Sequence, residues 1–209
     1  MMLHPRTFLP RHPDQGALRH ELAALRDTLA YTRSAQHLDV KHRADHGRAL
    51  LRLAQALLQM EAEEDELEAY NEALEHMEEA KEIWQELGRA RALHLAMIRI
   101  VELRSILATL PSQREAVMHR LTRLEEAQRK EPDTLQKPYR ATLLATRARA
   151  FARAGQIEAA IEAAMAAIEM LEAMLKKDRQ TPELTSLYAL RETLEKTSRI
   201  CTNVQAMNT

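Results

Sequence analysis

Cysteine, glycine and aromatic residues are scarce in this chain, and each scarcity removes a class of structure. The single cysteine, Cys201, rules out an intramolecular disulfide and fits a reducing compartment. Four glycines and 3% aromatic residues leave little material for strands or tight hairpins. Charge of neither sign dominates: 30 Lys and Arg stand against 31 Asp and Glu, a formal net charge of −1. Such a balance provides no global attraction to nucleic acid or to an acidic membrane. No apolar run approaches the roughly 20 residues that span a bilayer, and the first thirteen residues lack the apolar centre of a secretory signal. A Gly-rich phosphate loop, an HExxH helix and a nucleophile motif around Cys201 are also missing. The expectation is a cytoplasmic protein that is not an enzyme, carries no cofactor, and partners neither membrane nor nucleic acid.

What is abundant is helix-forming sequence. Hydrophobic residues make up 45% of the chain, set among Ala, Leu, Glu and Arg in long periodic stretches. The clearest stretch covers residues 144–171. Leu144, Ala148 and Phe151 recur at helical spacing, and Ile157, Ala160, Ile161, Ala164, Ile168 and Leu171 form a second stripe. Gly155 lies between them, where a residue without Cβ can take the left-handed conformation that ends a helix. Ninety-four residues earlier, Leu50, Leu53, Ala54 and Leu57 take the first-helix positions and Tyr70, Ala73 and Leu74 the second. A middle copy opens with Leu93, Ala96, Met97 and Ile100, with Pro111 where the other copy has glycine. The pattern resembles the tetratricopeptide repeat, although pairs here start roughly 45 to 50 residues apart against the family's 34. The resemblance, which covers about two thirds of the chain, is to the wider tetratricopeptide-like superfamily. It implies an all-α fold of antiparallel helix pairs stacked as a right-handed α-solenoid.

In chain order, Pro5, Pro10 and Pro13 exclude a continuous helix over residues 1–13 and suggest an extended arm carrying Leu3, Phe8 and Leu9. The helical array is expected over residues 14–200, opening with Asp14 as a cap. Gly88 should end one helix, Ser112 and Glu115 should form a capping box for another, and Thr181-Pro182 should start the last. That last helix, residues 183–200, mixes leucines with polar residues, as the capping element of a solenoid must. Residues 201–209 are expected to be a tail.

Charge is unevenly distributed along the chain. Residues 61–87 contain twelve acids and one lysine, whereas residues 137–154 contain five bases and no acid. In tetratricopeptide proteins the first helix of each pair lines the concave face, so the resemblance implies a basic groove for an acidic segment of a protein partner. Arg149 and Arg153 are its chief candidates, with Arg91 and Arg99 beside them and Ala145 letting a ligand approach the backbone. The family's terminal-carboxylate clamp uses Lys and Asn, and the corresponding Ala145 and Arg149 lack the Asn. Three alternatives remain. Acidic and basic helices could pair inside the fold. His37, His42 and His46, near Asp39 and Asp45, could make a metal-binding helical bundle. An exposed stripe could pack on a second copy as a structural homo-oligomer.

Overall fold

Helix ends in this protein are set by local chemistry that the sequence carries openly. Asp14 accepts a hydrogen bond from the Ala17 N–H at 2.9 Å and opens the first helix. Asp39 does the same for the second through the His42 N–H at 2.8 Å. Gly88 and Gly155 both have positive φ, 63° and 76°. At Gly155, Gln156 N–H reaches Phe151 O and Gly155 N–H reaches Ala152 O; at Gly88, Arg89 reaches Trp84 O and Gly88 reaches Gln85 O. Both are Schellman closures, which satisfy carbonyls that a helix end would otherwise leave open. The capping box expected at Ser112 and Glu115 is displaced. The helix starts at Pro111, and Gln113 Oε1 accepts from the Thr109 and Leu110 N–H groups at 2.9 and 3.0 Å. Pro111 occupies the first helical position, where its missing N–H costs nothing, so the helix begins earlier than the Ser–Glu spacing suggested.

A computed structural model of the chain describes residues 14–59, 66–130, 133–175 and 181–207, and these contain eight helices and no strand. They are α1 (Gln15–Ala35), α2 (Val40–Leu58), α3 (Glu66–Glu86), α4 (Ala90–Leu107), α5 (Pro111–Arg129), α6 (Asp133–Arg153), α7 (Ile157–Met174) and α8 (Pro182–Met207). The arm expected over residues 1–13 lies outside the described residues. The tail expected from residue 201 is instead helical to Met207. None of the described helices is long and apolar enough to cross a membrane.

The chain divides into two compact units, with the boundary between Leu107 and Ala108. The middle repeat expected from the sequence is therefore split, α4 going with α1–α3 and α5 with α6–α8. The apolar stripe of α5 is thin: its buried apolar residues are Val117, Leu121 and Leu124.

In the first unit α3 packs between α2 and α4, and α1 packs on α2. Leu50, Leu53, Ala54 and Leu57 of α2 are almost completely buried, as are Tyr70, Ala73 and Met77 of α3. Gly47 is the point of closest approach. A Cβ there would lie 2.8 Å from Trp84 Cζ2 and 3.2 Å from Ile83 Cγ2. Trp84 is 3% exposed, so its ring has nowhere to retreat. Gly47→Ala gains about 0.8–1.0 kcal/mol of helix propensity but overpacks the α2–α3 contact, at a cost of about 1–3 kcal/mol. A net loss of about 1 kcal/mol is expected in urea denaturation. A more stable variant would show that the Trp84 ring yields.

The second unit is built differently. Ala145, Ala148 and Ala152 of α6 and Ala160, Ala164 and Ala167 of α7 bring these two helices together through methyl groups. The bulk comes from α8, whose Leu184, Leu187, Leu190 and Leu194 fill the remaining space. Phe151 is only partly buried against this core, and the Arg147 guanidinium lies over its ring at 4.9 Å from the centroid.

Candidate functional site

Four of the acids of α3 are paired with arginines of other helices within the first unit. Glu72 and Glu79 accept from Arg26 and Arg33 of α1, each at 2.9 Å. Glu86 is paired with Arg43 of α2, and Glu78 with Arg104 of α4 at 2.5 Å. Glu72, Glu79 and Glu86 are seven apart and so share one face of α3. Three neighbouring helices thus present arginines to a single acidic helix.

His46 joins this network. It is fully buried, with Nε2 3.0 Å from Glu79 Oε1 and Nδ1 3.1 Å from the Thr32 hydroxyl. Both ring nitrogens are therefore engaged, and the ring is fixed between α1 and α3. Burial pushes the Glu79 carboxyl up, but the bonds from His46 and Arg33 outweigh it and hold the group below the ordinary glutamate value. A depressed folded value means that this contribution to stability is complete above the ordinary value and disappears as pH falls through the folded one. Acid destabilisation should accordingly be shallower in Glu79→Gln than in the wild type when urea midpoints are followed downward from pH 5. Identical slopes would show that the network does not couple folding to protonation.

The metal alternative finds no cluster to support it. His46 is committed to Thr32 and Glu79, His37 is exposed, and His42 Nδ1 lies 2.9 Å from Asp39. Among the described residues no group of three or more His, Cys, Asp or Glu is placed to hold a metal ion.

Of the five residues expected to line the groove, two are buried and two are half-buried. Arg149 is 1% exposed and donates to Glu183 Oε1 of α8 at 2.6 Å. Ala145 is fully buried in the core beneath α8. Arg153 is half-buried and has contacts within the chain. Arg99 is paired with the buried Glu102 on its own helix. Of the five only Arg91 is exposed. The placement expected for Arg149 and Ala145 is thus corrected: a helix face free of acids in the sequence is covered by an acid from elsewhere.

Open clefts lined by described residues include two, one in each unit. One, of about 350 Å³, runs between α1 and α2. Its α1 wall has Leu25, Thr28, Tyr31 and Ala35, and its α2 wall has His42, Asp45, Arg48 and Arg52. Arg48 is paired with Asp45, whereas Arg52 is exposed and forms no ion pair among the described residues. Tyr31 is 70% exposed at one edge, and the exposed Leu38 and Val40 follow in the α1–α2 connection and the start of α2. The lining positions recur every three or four residues on both helices, which was the signal available in the sequence. It was obscured because the same helices also carry core stripes on their other faces.

The second cleft, about 120 Å³, lies between α5 and α6 and is lined by Glu125, Gln128, Arg129, Arg140, Leu143, Leu144 and Arg147. Arg147 donates to Glu125 at 2.5 Å. The Nε2 of Gln128 is enclosed and has no hydrogen-bond partner. Leaving a buried amide unpaired costs about 1–3 kcal/mol.

With the arrangement of helices and clefts established, comparison adds no relative. No family model, curated protein or solved structure matches the chain.

Proposed function

We propose that the protein is a non-catalytic interaction scaffold with a tetratricopeptide-like stack of helices, and that its α1–α2 groove takes an acidic, partly apolar segment of a protein partner. The up-and-down arrangement is supported by the order of ion pairs. Advancing from Arg43 to His46 on α2 moves back from Glu86 to Glu79 on α3, whereas Arg26 and Arg33 of α1 meet Glu72 and Glu79 in step. This order favours antiparallel neighbours among α1, α2 and α3.

The observation that carries the binding reading is the groove's two-sided lining. One wall offers leucine, alanine, tyrosine and threonine side chains; the other offers His42, Arg48 and Arg52 against the single acid Asp45. The lining spans positions 25–35 and 42–52, about 15 Å at the helical rise, which accommodates about four to five extended residues. Guanidinium groups beside an apolar wall suit carboxylates interspersed with hydrophobic side chains.

The test is affinity capture from the source cells with tagged wild type and with Arg48→Glu/Arg52→Glu, followed by identification of co-purifying proteins. Both residues are exposed, so circular dichroism should be unchanged. Capture of a partner should fall at least about tenfold in the variant, and wild-type capture should weaken with added salt. Equal capture by the two proteins overturns the groove assignment. A change in light scattering instead would transfer the surface to self-association.

A further inference from the structure

We infer that the α1–α2 groove, when no other partner fills it, is occupied by helix α7 of a second copy of this chain. The inference rests on the reading of that groove as a site for an acidic, partly apolar segment, and it names such a segment. Along α7, Glu158, Glu162, Met165, Glu169 and Glu172 follow one another at spacings of three and four, so they share one face. All five are exposed. The helix contains no lysine or arginine. Glu172 accepts from the Tyr188 hydroxyl, whereas Glu158, Glu162 and Glu169 form no ion pair among the described residues. The contrast is with α3, four of whose acids are met by arginines of neighbouring helices. Like charges four apart weaken a helix, so a cationic cover over this face would stabilise it.

The two surfaces match in charge, spacing and length. Arg48 and Arg52 are four positions apart on α2, about 6 Å along its axis, and so are Glu158 and Glu162 on α7. One register therefore brings two guanidiniums to two carboxylates, each with a planar fork that fits two oxygens. Residues 158–169 cover about 16 Å of helix, against about 15 Å of groove. Met165, 51% exposed in the middle of the acidic face, supplies the apolar component for the wall of Leu25, Tyr31 and Ala35. An unbranched thioether side chain adapts readily to such a wall. A helix laid in a groove with its side chains as anchors is a recurring mode of recognition. The groove belongs to one unit and α7 to the other, so the contact between copies is heterologous. Two copies that exchange helices close on each other and make the contact twice. Self-docking then guards the groove until an acidic partner displaces the helix.

The experiment measures the mass of the full-length protein by light scattering at low salt, at concentrations up to about 1 mM. Wild type should rise above the monomer mass and return to it as salt is added. Arg48→Glu/Arg52→Glu and Glu158→Lys/Glu162→Lys should each need at least about tenfold more protein to associate. All four positions are exposed, so circular dichroism should be unchanged in both. An equimolar mixture of the two variants should associate again, because each groove then faces a helix of opposite charge. In affinity capture, Glu158→Lys/Glu162→Lys should take more of the acidic partner than wild type, its groove being left free. The inference is overturned by a wild type that stays monomeric throughout, by variants that associate as wild type does, or by a mixture that restores nothing. The groove reading fails separately, by equal partner capture in wild type and Arg48→Glu/Arg52→Glu. Monomeric wild type with capture lost in that variant would sink self-docking and leave the groove assignment standing.

Discussion

Arg149→Glu is expected to unfold the second helical unit. In the wild type the Arg149 guanidinium is 1% exposed and donates to Glu183 across the α6–α8 contact at 2.6 Å. Glu183 lies in the first turn of α8, where a carboxylate is also favoured by the helix dipole. Reversing the charge sets one carboxylate against another in a place water scarcely reaches. Breaking a buried pair costs about 3–5 kcal/mol, and adding repulsion brings the loss close to the whole stability of a small domain, about 5–15 kcal/mol. Arg149→Met should be milder, because it retains the packed stem and leaves a Glu183 side chain that is 24% exposed and able to reach solvent. Urea denaturation by circular dichroism separates these outcomes. If Arg149→Glu shifts stability by less than about 0.5 kcal/mol, as an exposed substitution would, then α8 does not cover Arg149.

A loss of similar size is expected for Leu190→Ala. Leu190 is completely buried, and much of the wall it meets is alanine from α6 and α7. Alanines have no side-chain freedom with which to fill a void, so the cavity should persist and the cost should reach about 3–5 kcal/mol. Removing α8 altogether by ending the chain after Leu175 uncovers the alanine and isoleucine faces of α6 and α7 at once. That truncated protein should self-associate, seen by light scattering as particles that grow with concentration. A monomeric truncation with unchanged helicity would show that α8 is dispensable, contrary to its four fully or nearly fully buried leucines.

The difference between Arg149 and Arg48 illustrates how far periodicity reaches. Both stand on helices with arginines four residues apart, Arg149 with Arg153 and Arg48 with Arg52. The first pair has no acid in the local sequence and the second has Asp45 adjacent, so local sequence favours Arg149 as the free cation. The folded chain pairs both: Arg48 remains exposed beside Asp45, whereas Arg149 is buried and meets Glu183 from thirty-four residues away. Charge-bearing side chains are long, and their partners are chosen by whichever helix packs alongside.

The sequence by itself determined the helices, their punctuation and most of the core. Stripes such as Leu50–Leu53–Leu57 and Ala160–Ala164–Ile168 show in helical spacing, and the left-handed glycines at 88 and 155 and the Thr181-Pro182 start reflect interactions within a few residues. Such interactions are encoded where they act. Only the tertiary structure decided which unit α5 joins, that Gly47 makes room for Trp84, that arginines of α1, α2 and α4 pair with four acids of α3, and that the enclosed Gln128 Nε2 lacks a partner. Each depends on which surfaces meet at a distance in the chain, and helical spacing carries no information about what lies opposite.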